Sequence, residues 1–218
     1  NDSYTNQFKV TITPLKNWNI IGEFNMRVDN NWTHEDSYPV YVHAADDPNY
    51  LFVSAYYGNG DKSRVSEYSY KATYLNSNVY TNYSLLLGKN NFAATAGMQV
   101  ESFKDRYLSG SRNSLITNDL PVLDLTTDKT EESLGGKYQE WKTAGFFGRI
   151  NYDYDSRYLA EVNLRYDGSS RFRASNRWVT SPSFSLGWNV AREKFWKPIE
   201  KYVNHFKVRY SYGQLANQ

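Results

Sequence analysis

The strongest constraint on the fold is an alternation of apolar and polar side chains that recurs along residues 144–212. In residues 158–167 the apolar positions of this alternation are Tyr158, Ala160, Val162, Leu164 and Tyr166. Because successive side chains of a β-strand point to opposite faces, the pattern predicts a strand with one apolar and one charged face. The same period recurs in 146–154, 178–190 and 206–212, so we expect a series of antiparallel strands.

Two all-β architectures fit such two-faced strands. In a soluble sandwich the apolar faces meet in a core, whereas in a membrane barrel the apolar face meets lipid and the polar face meets a water-filled lumen. The strands carry Tyr or Trp at their ends, as at Tyr158, Trp178 and Trp188. Aromatic girdles of this kind lie at membrane interfaces, so their placement favours the barrel.

The composition of the sequence excludes several other classes of protein. The mean hydropathy of the 218 residues is -0.73, and the sequence has no run of about 18 apolar residues, which excludes a helical membrane protein. Barrel strands are half polar, so a barrel passes this test. Basic and acidic residues are interspersed and nearly balanced, with a net charge of +2, so no nucleic-acid partner is expected. Cysteine is absent, which excludes disulfides and thiolate metal sites.

Along the whole chain the alternation predicts an antiparallel up-and-down meander of about eight strands. Short turns at 13–17, 88–91 and 155–157 alternate with longer loops at about 30–66, 105–143 and 168–176. In a meander these two kinds of connection lie at opposite ends of the strands. Outer-membrane barrels show this asymmetry, with short periplasmic turns and longer extracellular loops, so the three longer loops are predicted to be extracellular. Between residues 74 and 79 the apolar positions change from even to odd numbers, which predicts a β-bulge at 76–78.

Several stretches, in this order, resemble the barrel of SusC/RagA-type TonB-dependent outer-membrane transporters. They are FGRINY at 147–152, RYDGSSRF at 165–172, PSFSLGW at 182–188 and KVRYSYG at 207–213. The resemblance implies a plugged barrel of about 22 strands, of which residues 1–218 would be a partial barrel segment, cut at both ends and without the plug domain. It also implies TonB energy coupling, a SusD-like lipoprotein partner and a place in the bacterial outer membrane.

Candidate site residues fall into two sets. Polar side chains of the predicted strands would line the lumen: Arg149, Asn151, Glu161, Asn163, Arg165, Asp167, Lys207 and Arg209. Aromatic side chains of the first long loop could contact substrate, although they could equally pack within the loop: Trp32, Tyr38, Tyr41, Tyr50, Tyr56 and Tyr57. No catalytic motif, metal-ligand spacing or cofactor fingerprint is present, so the sequence predicts no enzyme, no metal site and no cofactor.

These observations predict part of an active importer of a nutrient, an oligosaccharide or a peptide, across an outer membrane whose lipid contacts the apolar face. Two alternatives stay open at the level of sequence. One is a complete small eight-stranded barrel that serves as an adhesin or structural protein. The other is a soluble, carbohydrate-binding β sandwich, which would bury the apolar faces that the barrel exposes.

Overall fold

The computed structural model describes residues 1–54 and 60–214, which form strands joined by turns and short 3₁₀ segments. The strands are β1 (Asp2–Leu15), β2 (Trp18–Ser37), β3 (Tyr41–His43), β4 (Leu51–Val53), β5 (Arg64–Leu87), β6 (Asn90–Leu115), β7 (Thr126–Tyr154), β8 (Tyr158–Ser169), β9 (Trp178–Asn189) and β10 (Lys207–Gly213). The 3₁₀ segments are Leu123–Leu125, Ala174–Asn176, Val190–Arg192 and Lys194–Trp196. Among the described residues, every helical segment falls short of the length and apolarity that a membrane-crossing helix needs.

Eight of the strands form one sheet in the order β1-β2-β5-β6-β7-β8-β9-β10, and β3 pairs with β4 in a separate hairpin. Residues pair antiparallel from Thr143↔Ser169 to Tyr154↔Tyr158 between β7 and β8, and from Lys207↔Asn189 to Gly213↔Ser183 between β10 and β9. The predicted all-β meander is therefore confirmed. β1 and β10 occupy the two ends of the sheet order, so the described strands do not close into the small barrel that was one alternative.

The chain divides into two compact units. The first unit comprises Asn1–Tyr4, Arg27–Thr73 and Lys104–Glu140, and the second comprises Thr5–Met26, Tyr74–Phe103 and Trp141–Gln218. The second unit contains the apolar alternation on which the sequence analysis rests. The first unit is polar along most of its length.

The boundaries predicted for the long loops are wrong. β2 continues to Ser37, β5 begins at Arg64, β6 continues to Leu115 and β7 begins at Thr126, so the connections are 38–63 and 116–125. The third loop, predicted at 168–176, runs from the end of β8 at Ser169 to the start of β9 at Trp178. The strand extensions escaped prediction because they are polar on both faces and lack the alternation of a half-buried strand. Their extracellular location stays a prediction.

Ion pairs and the backbone ladder hold the extensions of β6 and β7 together. Lys104 Nζ lies 3.6 Å from Glu140 Oε1, and Arg112 Nε lies 3.6 Å from Glu132 Oε2. A pair of opposite charges on neighbouring strands stabilises a sheet without an apolar face. The extensions are therefore water-exposed strands rather than irregular loops.

The predicted bulge at 76–78 is also wrong, because β5 keeps one phase through this region. Asn78 Nδ2 donates to Asn76 Oδ1 at 2.8 Å, and Asn76 Nδ2 donates to the Tyr74 hydroxyl at 3.4 Å. Side chains two residues apart can meet only on the same face of a strand. Tyr74 thus lies on the polar face with Asn76, and the change in the sequence pattern reflects an aromatic residue on that face.

The apolar face of the sheet is not buried. In the described residues the buried hydrophobic side chains are Ile21, Val65, Ala72 and Val190. Members of the apolar alternation remain open, with Ile150 60 %, Val162 58 % and Leu186 53 % exposed. A soluble sandwich would bury these side chains against a second sheet, so the sandwich alternative is wrong for the described part of the chain.

The short connections of the second unit are hydrogen-bonded to their neighbours. The Asp155 backbone N–H donates to the carbonyl of Lys89 at 2.8 Å, and that of Asn189 donates to the carbonyl of Arg157 at 2.7 Å. The turns at 88–89 and 155–157 and the end of β9 therefore lie together, as the predicted turn end of a meander requires. We refer to this edge as the turn end.

Gly97 provides a test of the packing on the polar face. A Cβ at this position would contact Tyr80 Cβ and would lie 2.6 Å from the carbonyl oxygen of Val79 and 2.8 Å from Phe147 Cζ. Because the Val79 oxygen is backbone, Gly97→Ala should lower the free energy of unfolding by about 1–3 kcal/mol, measured by urea titration in detergent. Gly22→Ala is the control, since a Cβ there meets nothing within 4 Å. Equal stability of the two variants would contradict the packing.

Candidate functional site

The polar face of the second unit carries all eight predicted lining residues. The register pairs Arg149 with Asn163 and Asn151 with Glu161, so alternate positions of β7 and β8 share this face. Lys207 lies on the same face, because its Cε is 3.3 Å from the position that a Cβ on Gly187 would occupy. Gly187 pairs with Leu159, which is two residues from Glu161 in β8 and therefore shares its face. The members of this face are Arg149, Asn151, Glu161, Asn163, Arg165, Asp167, Lys207 and Arg209. That the face borders a lumen stays a prediction.

Hydrogen bonds link neighbouring polar side chains on this face. Arg149 Nε donates to Asn163 Oδ1 at 2.5 Å, and Asn163 Nδ2 donates to Glu161 Oε1 at 2.8 Å. Arg165 donates two hydrogen bonds to the carboxylate of Asp167, at 3.1 and 2.9 Å. A two-pronged pair of this kind fixes both side chains in one orientation. The network holds long charged side chains in place on an open surface.

Two arginines keep positive charge available on the polar face. Arg149 donates to an amide, and Arg209 NH2 donates to Ser185 Oγ at 3.3 Å. Within residues 1–54 and 60–214, neither guanidinium has a carboxylate oxygen within 4.0 Å. Both can therefore bind a carboxylate or a hydroxyl of a ligand without breaking an ion pair.

An open hollow of about 720 Å³ lies on the same face. Its aromatic floor is formed by Tyr80 and Phe147, whose ring centroids are 6.5 Å apart over Gly97. Tyr80 donates its hydroxyl to Glu23 at 3.3 Å, and Glu23 in turn lies 2.9 Å from Lys9 Nζ. The hollow thus combines an apolar floor with polar walls, which suits an amphipathic ligand.

A second hollow, of about 460 Å³, belongs to the first unit and is rich in hydroxyl groups. Its lining includes Asn31, Thr33, Arg64, Ser66, Tyr68, Ser109, Ser111 and Ser133. The Tyr68 ring stacks on Tyr107 at 5.8 Å, and Arg64 NH2 donates to Ser111 Oγ at 2.8 Å. Hydroxyls, an amide and an aromatic ring are groups that can hydrogen-bond and stack on a polar ligand. Neither hollow was predicted from the sequence. The available signal was that Tyr68, Tyr74 and Tyr80 of β5 occupy even positions, as Asn76 and Asn78 do.

The predicted substrate-contact aromatics do not all lie in a loop. Trp32 belongs to β2, with its ring 6.1 Å from that of His34, and Tyr41 belongs to β3. Tyr50 precedes β4 and stacks on Phe52 at 6.3 Å, and Tyr38 donates its hydroxyl to the carbonyl of Asn118 at 3.2 Å. Their ring partners differ, so these contacts do not join them into one platform. Tyr56 and Tyr57 lie outside the described residues.

A charged cluster anchors the start of β5 to β7 in the first unit. Lys62 Nζ lies 2.9 Å from both Asp128 Oδ2 and Glu131 Oε1. Hydrogen bonds from Thr130 and Lys62 lower the pKa of Asp128, and those from Lys62 and Asn113 lower the pKa of Glu131. The same two carboxylates raise the pKa of Lys62. Over the described residues, no group of three or more His, Asp or Glu side chains is arranged to hold a metal ion.

No protein-family profile matches the chain. The TonB-dependent receptor SusC of Bacteroides thetaiotaomicron is 33 % identical over 174 residues, which cover 78 % of this chain and 16 % of the relative. The TonB-dependent receptor P26 of Formosa agariphila is 27 % identical over 220 residues, which cover 100 % of this chain and 21 % of the relative.

Solved structures show the same fold. The RagAB peptide importer in its closed-closed state superposes with a TM-score of 0.77 at 19 % identity, over 97 % of this chain and 22 % of that one. In its open-open state the TM-score is 0.75. The chain therefore spans about a fifth of the length of the proteins that it matches.

The charged cluster predicts a pH dependence. Because their pKa values are lowered in the folded state, Asp128 and Glu131 stabilise the fold fully above their unfolded pKa values of 3.8 and 4.5. This stabilisation is lost as the pH falls through the lowered pKa values. Lys62, whose pKa is raised, stabilises the fold fully below its unfolded pKa of 10.5, and this stabilisation is lost as the pH rises through the raised pKa. Lys62→Met should therefore reduce hydrogen-exchange protection of residues 60–66 and 126–132 at pH 7, and the difference from the original protein should shrink below pH 3.8.

Lys129→Met is the matched control. Lys129 lies in the same strand as Asp128, and it has no carboxylate oxygen within 4.0 Å among the residues that the structure describes. A Lys62→Met protein with unchanged protection at pH 7, or with a difference that persists at low pH, would contradict the role of the cluster.

Proposed function

Because the chain belongs to the SusC/RagA-type family of TonB-dependent outer-membrane transporters, we propose that it forms part of the barrel wall of a nutrient importer. The observation that carries this proposal is the asymmetry of the sheet in the second unit. One face exposes large apolar side chains, whereas the other carries a hydrogen-bonded charged network. A sheet of this kind is stable where one face meets lipid and the other meets water.

The imported substrate is an oligosaccharide or a peptide. RagAB is a peptide importer and SusC is a TonB-dependent receptor, which supports import of a nutrient. Both hollows offer polar groups beside aromatic rings, and Arg149 and Arg209 can bind ligand oxygens. The TonB system supplies the energy, and a SusD-like lipoprotein delivers the substrate to the outer side of the barrel. The chain itself binds and guides substrate and breaks no bond.

The eight polar residues of the second unit line the passage in this account. Hydrogen bonds between neighbouring side chains hold Arg149, Glu161, Asn163, Arg165 and Asp167 on an open surface rather than in a packed interior. A fully closed small barrel would fill its interior with bulky or paired side chains. The open network favours the larger pore over the adhesin alternative.

Transport can be tested in the native bacterium with the intact protein. Deletion of the gene should abolish uptake of labelled oligosaccharides or of labelled peptides. In the parent strain, which keeps the gene, a protonophore should block the same uptake. Complementation with Asn163→Trp should lower uptake several-fold at equal outer-membrane abundance, because an indole would project from the polar face.

Leu164→Trp is the matched control, since Leu164 is the next residue of β8 and lies on the apolar face. It should restore uptake fully, because Trp is well tolerated beside lipid. Unchanged uptake of both substrate classes after gene deletion would overturn the proposed function. Equal effects of the two tryptophans would overturn the assignment of the faces.

A further inference from the structure

The connection between β9 and β10 differs from the other connections at the turn end. It runs over residues 190–206 and contains helical turns, with the Glu200 N–H donating to the carbonyl of Trp196 at 3.1 Å and the Val203 N–H to that of Ile199 at 3.0 Å. In helical turns, residues three or four apart lie on the same side. Within these turns, apolar residues with this spacing are Phe195, Ile199 and Tyr202. We call residues 194–206 the basic apolar segment.

The segment is folded, yet its apolar side chains point outward. Trp196 donates its Nε1 hydrogen to the carbonyl of Val203 at 2.8 Å and stacks on Phe206 at 5.2 Å with an interplanar angle of 9°. Despite this order, Phe195 is 61 % and Tyr202 82 % exposed. A contiguous exposed apolar surface on an ordered segment marks a contact with a partner or a membrane.

This apolar surface is continuous with the apolar face of the sheet. The Phe195 ring lies 6.4 Å from that of Trp188, and Trp188 is paired with Tyr158 and Val208 in the register. Glu193 fixes the junction, since it accepts hydrogen bonds from Trp188 Nε1 at 3.1 Å and from the Tyr158 hydroxyl at 2.8 Å. The face that meets lipid therefore extends from the strands onto the segment.

The charge of the segment favours an anionic partner. Lysines lie at 194, 197 and 201, and Glu200 is the one acidic residue of the segment. Within the residues that the structure describes, none of the three lysines has a carboxylate oxygen within 4.0 Å. Basic residues beside aromatic and aliphatic ones are typical of segments that lie in the plane of a membrane interface.

We propose that residues 194–206 are a binding site for anionic phospholipid at the turn end of the barrel. Phe195, Ile199 and Tyr202 insert at the boundary between headgroups and acyl chains. Lys194, Lys197 and Lys201 bind the headgroup phosphates. The proposal rests on the proposed function, in which the apolar face of the sheet contacts lipid. The labelling experiment distinguishes failure of this lipid site from failure of that contact.

Because the sequence contains no cysteine, single cysteines in this part of the protein can be labelled with an environment-sensitive fluorophore. We would label Tyr202→Cys and Leu186→Cys in the intact protein and reconstitute it in vesicles with brominated acyl chains. Both labels should be quenched. Quenching at Leu186 but not at Tyr202 would overturn this inference alone, whereas loss of quenching at both would overturn the lipid contact of the apolar face as well.

The charge contribution is tested with phosphatidylglycerol. The combined substitution Lys194→Gln, Lys197→Gln and Lys201→Gln should reduce several-fold the phosphatidylglycerol that copurifies with the protein, and phosphatidylcholine should be unaffected. Three lysines of the first unit supply the control: Lys71→Gln, Lys129→Gln and Lys137→Gln should retain the lipid. Equal retention by the two triple variants would overturn the phosphate contacts.

Discussion

The structure depends on a backbone that satisfies its own hydrogen bonds while one face of the sheet is left without a protein partner. In lipid each unpaired N–H or C=O costs several kcal/mol. An antiparallel ladder meets this requirement for every strand that has neighbours on both sides, from β2 to β9 in the sheet order. The exposed apolar side chains of the second unit then become favourable contacts with acyl chains. Within residues 1–54 and 60–214, the small number of buried apolar side chains is a consequence of this environment.

The polar face meets the opposite requirement, because its charges must stay hydrated and yet ordered. Pairs such as Arg165 with Asp167 and Arg149 with Asn163 fix long side chains through neighbours on the same or the adjacent strand. Gly97 lets the rings of Tyr80 and Phe147 cross the face where any side chain would collide. The result is a face with fixed polar groups and an aromatic depression.

Much of this architecture was predictable from the period of two. The alternation in 158–167 matches β8, which runs from Tyr158 to Ser169. The same alternation in β7 and β10 correctly placed all eight candidate residues on one face. The extensions of β6 and β7 were not predictable because opposite charges, such as Lys104 with Glu140, replace apolar alternation there. The supposed bulge failed for a related reason. Tyr74 lies on the polar face with Asn76, so hydropathy alone assigned it to the wrong side.

The central claim is that alternate residues of β8 face lipid and water. Single cysteines at Glu161, Val162, Asn163 and Leu164 in the intact protein, reconstituted in vesicles, would test it most directly, with reaction toward a water-soluble, membrane-impermeant maleimide as the readout. The account predicts fast labelling at Glu161 and Asn163 and slow labelling at Val162 and Leu164. Labelling at all four positions with similar rates, or with the opposite alternation, would contradict it.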